Sequence, residues 1–298
     1  MKRRTRYILA AVAAFALFAT VATAVVLVLS PREMATSFTR MSLERSGLDK
    51  QLYDHDQGPI TTFEGGEGPP LVFVHGLADQ GGSWFRMVSD FDDRRVIVVD
   101  LPGHGESPSR GGEVLDDAAL GRLFEVFDAA ATDEPLTLVA NSLGGWVAME
   151  YALAHPANVK RLILANSAGI EHDIDPLLLM PTTRDEARRT VSTIFGDATP
   201  PMPGFVLDQI IERSGESVIA NSWDRQDDAD FLDDRLSQLH TPTTLVWGSA
   251  DLIFDLDYAR RLDARLPDSS LSVIDGCGHS PQVGCPDEFS AQVRQALN

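Results

Sequence analysis

Short runs of consecutive hydrophobic residues alternate with longer amphipathic stretches through most of the chain. The runs cover residues 70–75, 95–100, 136–140, 161–165, 243–248 and 270–274. Runs that are apolar on both faces are typical of buried parallel strands. Helical spacing lies between them, for example at 118–131 and 144–154. The pattern predicts an α/β fold, in which a mostly parallel central sheet is covered by helices on both faces.

One stretch interrupts this alternation, because residues 171–235 contain no convincing strand. Helical spacing covers 184–195, 204–213 and 216–225, and prolines separate these segments. We therefore predict a small helical cap at 171–235, inserted between two parts of an α/β core at 59–170 and 236–298. The mixed, polar residues 31–58 are predicted to be a connector that precedes this core.

The N-terminus predicts a membrane anchor. Residues 8–29 are apolar except for two threonines, and as a helix they would span about 33 Å, enough to cross a bilayer core. Basic residues precede this segment, so the tip is expected to stay in the cytoplasm. We predict that residues 1–30 form a tip and one transmembrane helix in the inner membrane, with the remaining chain in the periplasm. A cleaved secretory signal is the alternative.

The charge of the chain excludes one broad class of function. Its 298 residues include 25 Lys and Arg against 44 Asp and Glu, which gives a formal net charge of -19. A negative field of this size repels phosphate backbones, so no nucleic-acid partner is expected. The acidic composition also indicates a salt-tolerant surface, although an ordinary acidic soluble domain would have the same composition.

A candidate nucleophile follows the third predicted strand. The sequence Ala140–Asn141–Ser142–Leu143–Gly144 matches the G-x-S-x-G turn between a strand and a helix, with alanine at the first position. Such a turn exposes the serine hydroxyl and directs the backbone N–H of Leu143 towards a developing oxyanion. The alternative is an ordinary serine that caps the following helix.

Two earlier strands end in turns that would surround this serine. His75–Gly76–Leu77 follows the first run, and Leu77 is expected to supply a second backbone N–H to an oxyanion. We expect His75 to organise its loop rather than to act in catalysis. For Asp100 and His104, in a glycine-rich turn, we likewise prefer a structural role.

The remaining candidates for chemistry lie near the C-terminus. Asp251 follows a late strand, and His279 lies on a glycine-rich loop after the last one. A serine hydroxyl needs a base to become nucleophilic, which a histidine supplies, and a buried aspartate holds the imidazole in the required orientation. The chain order serine, aspartate, histidine suits a catalytic triad. Asp255 and Asp257 are rivals for the acid, but Asp251 lies directly at the strand end.

Together these motifs resemble the α/β-hydrolase superfamily over residues 55–298. The apolar N-terminus, Asn141–Gly145 and Gly278–His279 resemble the membrane-anchored monoacylglycerol lipases and related bacterial lipases and esterases. The resemblance implies hydrolysis of monoacylglycerols or short-to-medium acyl esters through an acyl-enzyme, without a metal or organic cofactor. It assigns the nucleophile to Ser142, the base to His279 and the acid to Asp251, with Leu77 and Leu143 as oxyanion donors.

Other functions remain open at this point. A carbon–carbon bond hydrolase of the same fold uses a similar triad, and an anchored, non-catalytic binding module could retain it. Trp146, Phe195 and Phe205 are candidates for an acyl pocket, although such aromatic residues more often pack in the core.

The two cysteines also leave two alternatives. A total of two excludes a disulfide framework or a multi-cysteine zinc site. Cys277 and Cys285 flank His279, and a bridge between them is permitted outside the inner membrane. Because spacing does not reveal the Cα separation, two buried free thiols are the favoured expectation.

Overall fold

The computed structural model describes residues 31–56, 58–108, 115–214 and 231–298. These described residues belong to two compact units, divided between Met41 and Ser42. The predicted anchor at 1–30 and the third predicted cap helix at 216–225 lie outside the described residues. None of the helices within those four ranges combines the length and the hydropathy that a membrane span requires.

The described residues contain eight strands and eight α-helices. The strands are β1 (Asp49–Tyr53), β2 (Ile60–Gly65), β3 (Pro70–Val74), β4 (Arg95–Val99), β5 (Leu136–Asn141), β6 (Val159–Ala165), β7 (Thr243–Gly248) and β8 (Ser269–Ile274). The helices are α1 (Pro31–Arg45), α2 (Asp117–Ala130), α3 (Leu143–Ala154), α4 (Arg184–Phe195), α5 (Gly204–Ser214), α6 (Leu256–Asp263), α7 (Pro281–Gly284) and α8 (Pro286–Leu297).

All eight strands join in one sheet, in the order β1-β2-β4-β3-β5-β6-β7-β8. The first two strands pair antiparallel, as does β2 with β4, and the other pairs are parallel. Val72 of β3 lies opposite Ile97 on one side and Leu138 on the other. The predicted mostly parallel sheet with flanking helices is confirmed.

The hydrophobic runs are continuous because both faces of the sheet are covered. Alternate side chains of a strand point to opposite faces. Val72 and Val74 pack in a cluster with residues of α2, α3 and α6. Leu71 and Phe73 pack in another with α8 and with the 3-10 turns that precede β4. The two clusters fix the register of the central strands, because a shift by one residue would exchange their side chains between faces.

The stretch 31–58, expected to be a connector, contains regular structure. Residues 31–45 form α1, and 49–53 form the edge strand β1. Four of the five β1 residues are exposed, so the strand lacks the apolar run that marks its neighbours. Its partner β2 supplies the hydrogen bonds that define it.

Two of the predicted cap helices are present as α4 and α5. Helix α4 begins with a capping box, in which the Thr183 side chain accepts from the Glu186 N–H and the Glu186 side chain accepts from the Thr183 N–H. Arg184 donates to both carboxylate oxygens of Asp208 in α5, at 2.7 and 2.6 Å. The domain boundaries of the cap and core stay predictions.

Candidate active site

Ser142 occupies a sharp turn between β5 and α3. Its backbone has φ 54° and ψ -122°, a conformation that costs a non-glycine residue about 1–3 kcal/mol. The Ser142 N–H donates to Ala165 O at 3.1 Å, and its carbonyl accepts from the Ala168 N–H at 3.0 Å. These two bonds hold the strained turn against the end of β6.

Glycines around Ser142 let three backbone segments approach closely. A Cβ atom on Gly144 would lie 2.5 Å from His75 O, and one on Gly145 would lie 2.7 Å from Ser167 Cβ. A Cβ atom on Gly76 would lie 3.0 Å from the Ser142 Cβ. The loop after β3 therefore lies directly against the serine, at the edge where the predicted oxyanion donors Leu77 and Leu143 are found.

His75 braces that loop through both ring nitrogens. Its Nδ1–H donates to Gly76 O at 2.7 Å, and its Nε2 accepts from the Leu101 N–H at 3.0 Å. Burial lowers the pKa of His75, because a charged imidazole would lose its hydration. The ring is thus a neutral structural link between β3 and β4.

The turn after β4 is organised in the same way. One Asp100 carboxylate oxygen accepts from the Gly81 N–H at 2.6 Å, and the other accepts from the Glu106 N–H at 2.8 Å. Asp100 is buried, so these donors replace water around its carboxylate. The contacts fit the structural role that the sequence favoured.

Asp251 and His279 form a buried hydrogen-bonded pair. The His279 Nδ1–H donates to Asp251 Oδ2 at 2.8 Å, and the Asn166 side-chain amide donates to the same oxygen at 2.7 Å. The other oxygen accepts from the N–H groups of Ile253 and Phe254 at 2.8 and 3.2 Å. Asp251 is only 3% exposed, and these four donors compensate for its lost hydration.

The rival aspartates have other partners. Asp255 caps α6 by accepting from the Tyr258 N–H at 2.8 Å. Asp257 is exposed and pairs with Arg260. Of the three candidates, Asp251 is the one whose side chain is hydrogen-bonded to His279.

Asn166 is a site residue to which the sequence analysis assigned no role. Besides its bond to Asp251, its side-chain oxygen accepts from the Gly248 N–H at 3.1 Å. It adopts φ 45°, a left-handed conformation that asparagine tolerates better than most residues. The feature of the sequence that could have identified it is its position directly after a buried strand.

Asn141 links the serine turn to the loop that carries the histidine. Its side-chain amide donates to Ala165 O at 3.0 Å and to His279 O at 2.9 Å. Its side-chain oxygen accepts from Gln282 Nε2 at 3.0 Å. The residue before Ser142 thus holds the backbone of His279, a role that the motif alone does not reveal.

The expectation of two free thiols is wrong, because Cys277 and Cys285 form a disulfide. The short helix α7 turns the chain back after the last strand, which brings the two Cα atoms to 6.0 Å. The bridge therefore closes a small loop that contains His279.

The three candidate pocket residues lie in different environments. Trp146 is partly buried against the core on α3, and Phe195 is partly buried at the end of α4. Phe205, near the start of α5, is 59% exposed. Their assignment to an acyl pocket stays a prediction.

Comparisons with known proteins point to one fold. Residues 69–198 match a family described as alpha/beta hydrolase fold. A solved structure of a membrane phospholipase A, described as a bacterial virulence factor, has a TM-score of 0.77 and 25% identity, and the match covers 98% of each chain.

Two curated relatives differ in their chemistry. A pimeloyl-[acyl-carrier protein] methyl ester esterase from Nitrosospira multiformis is 29% identical over 266 residues, which cover 76% of this chain and 94% of the relative. A 2-hydroxy-6-oxononadienedioate/2-hydroxy-6-oxononatrienedioate hydrolase from Pseudomonas putida is 29% identical over 295 residues, covering 88% and 96%.

Proposed function

This chain is an alpha/beta hydrolase-fold protein, and on that basis we propose that it is a serine hydrolase that cleaves carboxylic esters. The observation that carries the proposal is the left-handed turn at Ser142, packed against the loop of Gly76 and linked through Asn141 to His279. Strain of this kind persists only where the surrounding contacts maintain it, and it concentrates at functional sites.

In the proposed reaction, Ser142 Oγ attacks the ester carbonyl carbon while His279 Nε2 accepts the hydroxyl proton. The N–H groups of Leu77 and Leu143 stabilise the negatively charged oxygen of the tetrahedral intermediate. His279 then gives the proton to the departing alcohol, which leaves an acyl-enzyme. Water activated by the same imidazole releases the acid, while Asp251 stabilises the imidazolium in both steps.

The proposed substrates are monoacylglycerols or other esters with short-to-medium acyl chains. The membrane phospholipase and the methyl ester esterase among the similar proteins support ester cleavage. We also propose that residues 1–30 anchor the protein in the inner membrane, with the hydrolase core in the periplasm. Lipid-derived esters would then reach the cap from the adjacent bilayer.

Hydrolysis of p-nitrophenyl esters from acetate to palmitate, with the full chain in detergent, tests the proposal. We expect the highest kcat/KM at short or medium chains, and a loss of at least about a thousandfold in Ser142→Ala. Ser46→Ala, which removes an exposed hydroxyl at the end of α1, is the matched control. Equal turnover in Ser142→Ala and the wild type would refute the assignment.

The Pseudomonas putida relative supports carbon–carbon bond hydrolysis as a second candidate. The discriminating substrate is a vinylogous 1,5-diketone acid of the ring-cleavage type, assayed beside the esters. Turnover of the diketone alone, abolished by Ser142→Ala, would favour this candidate. No turnover of either class would favour a non-catalytic binding module.

A further inference from the structure

The loop that carries His279 is bonded to the end of a predicted cap helix. We call residues 275–280 the base loop and residues 193–197 the cap segment. Three backbone hydrogen bonds join them: His279 N–H to Thr193 O at 2.7 Å, Ser280 N–H to Ile194 O at 3.1 Å, and Asp197 N–H to Gly276 O at 2.8 Å. The backbone of the histidine itself is thus held by α4.

Glycines allow this contact to be close. A Cβ atom on Gly278 would lie 2.5 Å from both Gly196 N and Thr193 O, and a Cβ on Gly196 would lie 2.6 Å from Gly278 N. Gly196 also has φ 63°, a conformation that favours glycine. The two backbones therefore pack without an intervening side chain, and neither can shift without moving the other.

The opposite side of the base loop is held by the core. The Ala250 N–H donates to Cys277 O at 2.8 Å, and the Asn141 side chain donates to His279 O at 2.9 Å. The base loop is therefore positioned from two sides, one of which belongs to the core and the other to the predicted cap. Contacts with the core alone leave the His279 N–H without its partner.

We propose that the cap segment positions His279, with Thr193, Ile194 and Gly196 as positioning residues for the base. This inference rests on the proposed function only for the role of His279 in catalysis. Helix α4 would act as a lever of about 18 Å, since its first residue, Arg184, is paired with Asp208 of α5. Displacement of α5 would then reach the base through α4.

Loss of this positioning should affect the chemical step in particular, because proton transfer depends on geometry. A misplacement of about 1 Å can lower a reaction rate about a hundredfold. A loosened cap segment should therefore lower kcat, referred to the concentration of folded protein, more than it raises KM. A general loss of folded protein would instead speed amide exchange throughout the chain, not only in the base loop.

Gly196→Ala in the full chain tests the contact directly. We expect kcat to fall at least tenfold with less than a threefold change in KM, and the amides of His279 and Ser280 to exchange with deuterium at least fivefold faster. Gly47→Ala is the matched control, because Gly47 also has positive φ but an added Cβ would meet no atom within 4 Å. It should change none of these quantities more than twofold.

A gentler variant keeps the test valid if Gly196→Ala does not fold. Asp208→Asn removes the exposed pair with Arg184 at the far end of α4 and should at least double the exchange rates of the His279 and Ser280 amides. The control is Asp185→Asn, which removes a similar exposed pair within α4, with Arg188. Faster exchange within α4 and unchanged exchange at His279 and Ser280 would overturn the proposal, whether or not the protein hydrolyses esters.

Discussion

The serine turn and the base loop meet at one edge of the sheet but are held in different ways. Ser142 is held by neighbouring core strands, through Ala165, Gly144 and the loop at Gly76. His279 is held by the cap segment, by a disulfide and by Asn141. The first arrangement follows from close packing within the core. The second joins parts of the chain that are distant in sequence, and one of them belongs to the predicted cap.

The largest expected effect concerns the serine turn. Gly144→Ala would place a Cβ atom 2.5 Å from His75 O and 2.6 Å from Val74 O. Both are backbone atoms, one at the end of β3 and the other directly after it, so no side-chain rotation relieves the clash. We expect a loss of about 3 kcal/mol in the free energy of unfolding, measured by urea denaturation, and loss of ester hydrolysis.

The matched control for this variant is Gly121→Ala in α2, where an added Cβ would meet no atom within 4 Å. Alanine favours a helix over glycine, so this change should stabilise the protein by about 0.5–1 kcal/mol. Equal stability of the two variants would show that the core does not hold the serine turn tightly, and would remove the contrast with the base loop.

An intermediate effect is expected for the base loop. Replacing both Cys277 and Cys285 by serine removes the bridge, which should cost about 2–3 kcal/mol because the unfolded chain gains freedom. The free energy of unfolding of the wild type should fall by a similar amount in dithiothreitol. Since the chain has only these two cysteines, the double variant should be insensitive to the reductant. A wild type that is equally insensitive would contradict the bridge.

Much of the fold could be predicted from the hydrophobic pattern, because β3 to β7 are largely buried on both faces. Strand β8 at the edge of the sheet is only partly buried, but it also has an apolar run. These runs match β3 to β8 with differences of at most two residues; for example, β6 begins at Val159 rather than 161. Strand β1 could not be predicted, because its exposed residues are ordered by pairing with β2. The spacing of apolar residues along the chain indicates which strands are buried. The pairing of an exposed edge strand depends on its neighbour in the folded sheet, which the local sequence does not show.

In the candidate site, too, the local motif could be predicted from the sequence and the long-range contacts could not. The motif at Ser142 is local, since a strand, a turn and a helix are adjacent in sequence. The contacts of Asn166 with Asp251 and of Asn141 with His279 span 85 and 138 residues. Sequence spacing contains no information on such distances. The same reason explains why the disulfide was not expected, although its cysteines are only 8 residues apart.

The smallest effect depends on pH and concerns the buried histidines behind the serine turn. His104 lies 5.4 Å from His75, measured between ring centroids, and its Nδ1–H donates to Pro102 O at 3.0 Å. Burial, with the nearby His75, lowers the pKa of His104 to about 4 from its ordinary 6.5. The unfolded chain therefore binds more protons between these values, and folding stability falls as the pH decreases from 6.5 to 4.

Replacement by asparagine isolates this contribution, because His104→Asn keeps a side-chain N–H donor but does not titrate. Between pH 7 and pH 5 the wild type should lose about 2 kcal/mol more unfolding free energy than the variant. Burial raises the pKa of Asp79, which opposes the trend. Asp79 is present in both proteins, so it enters the difference only through its electrostatic interaction with His104. Urea denaturation of both proteins at half-unit pH steps measures this difference in unfolding free energy. Parallel curves would mean that water reaches His104 as it does an exposed histidine, and that the loops behind Ser142 are not closely packed.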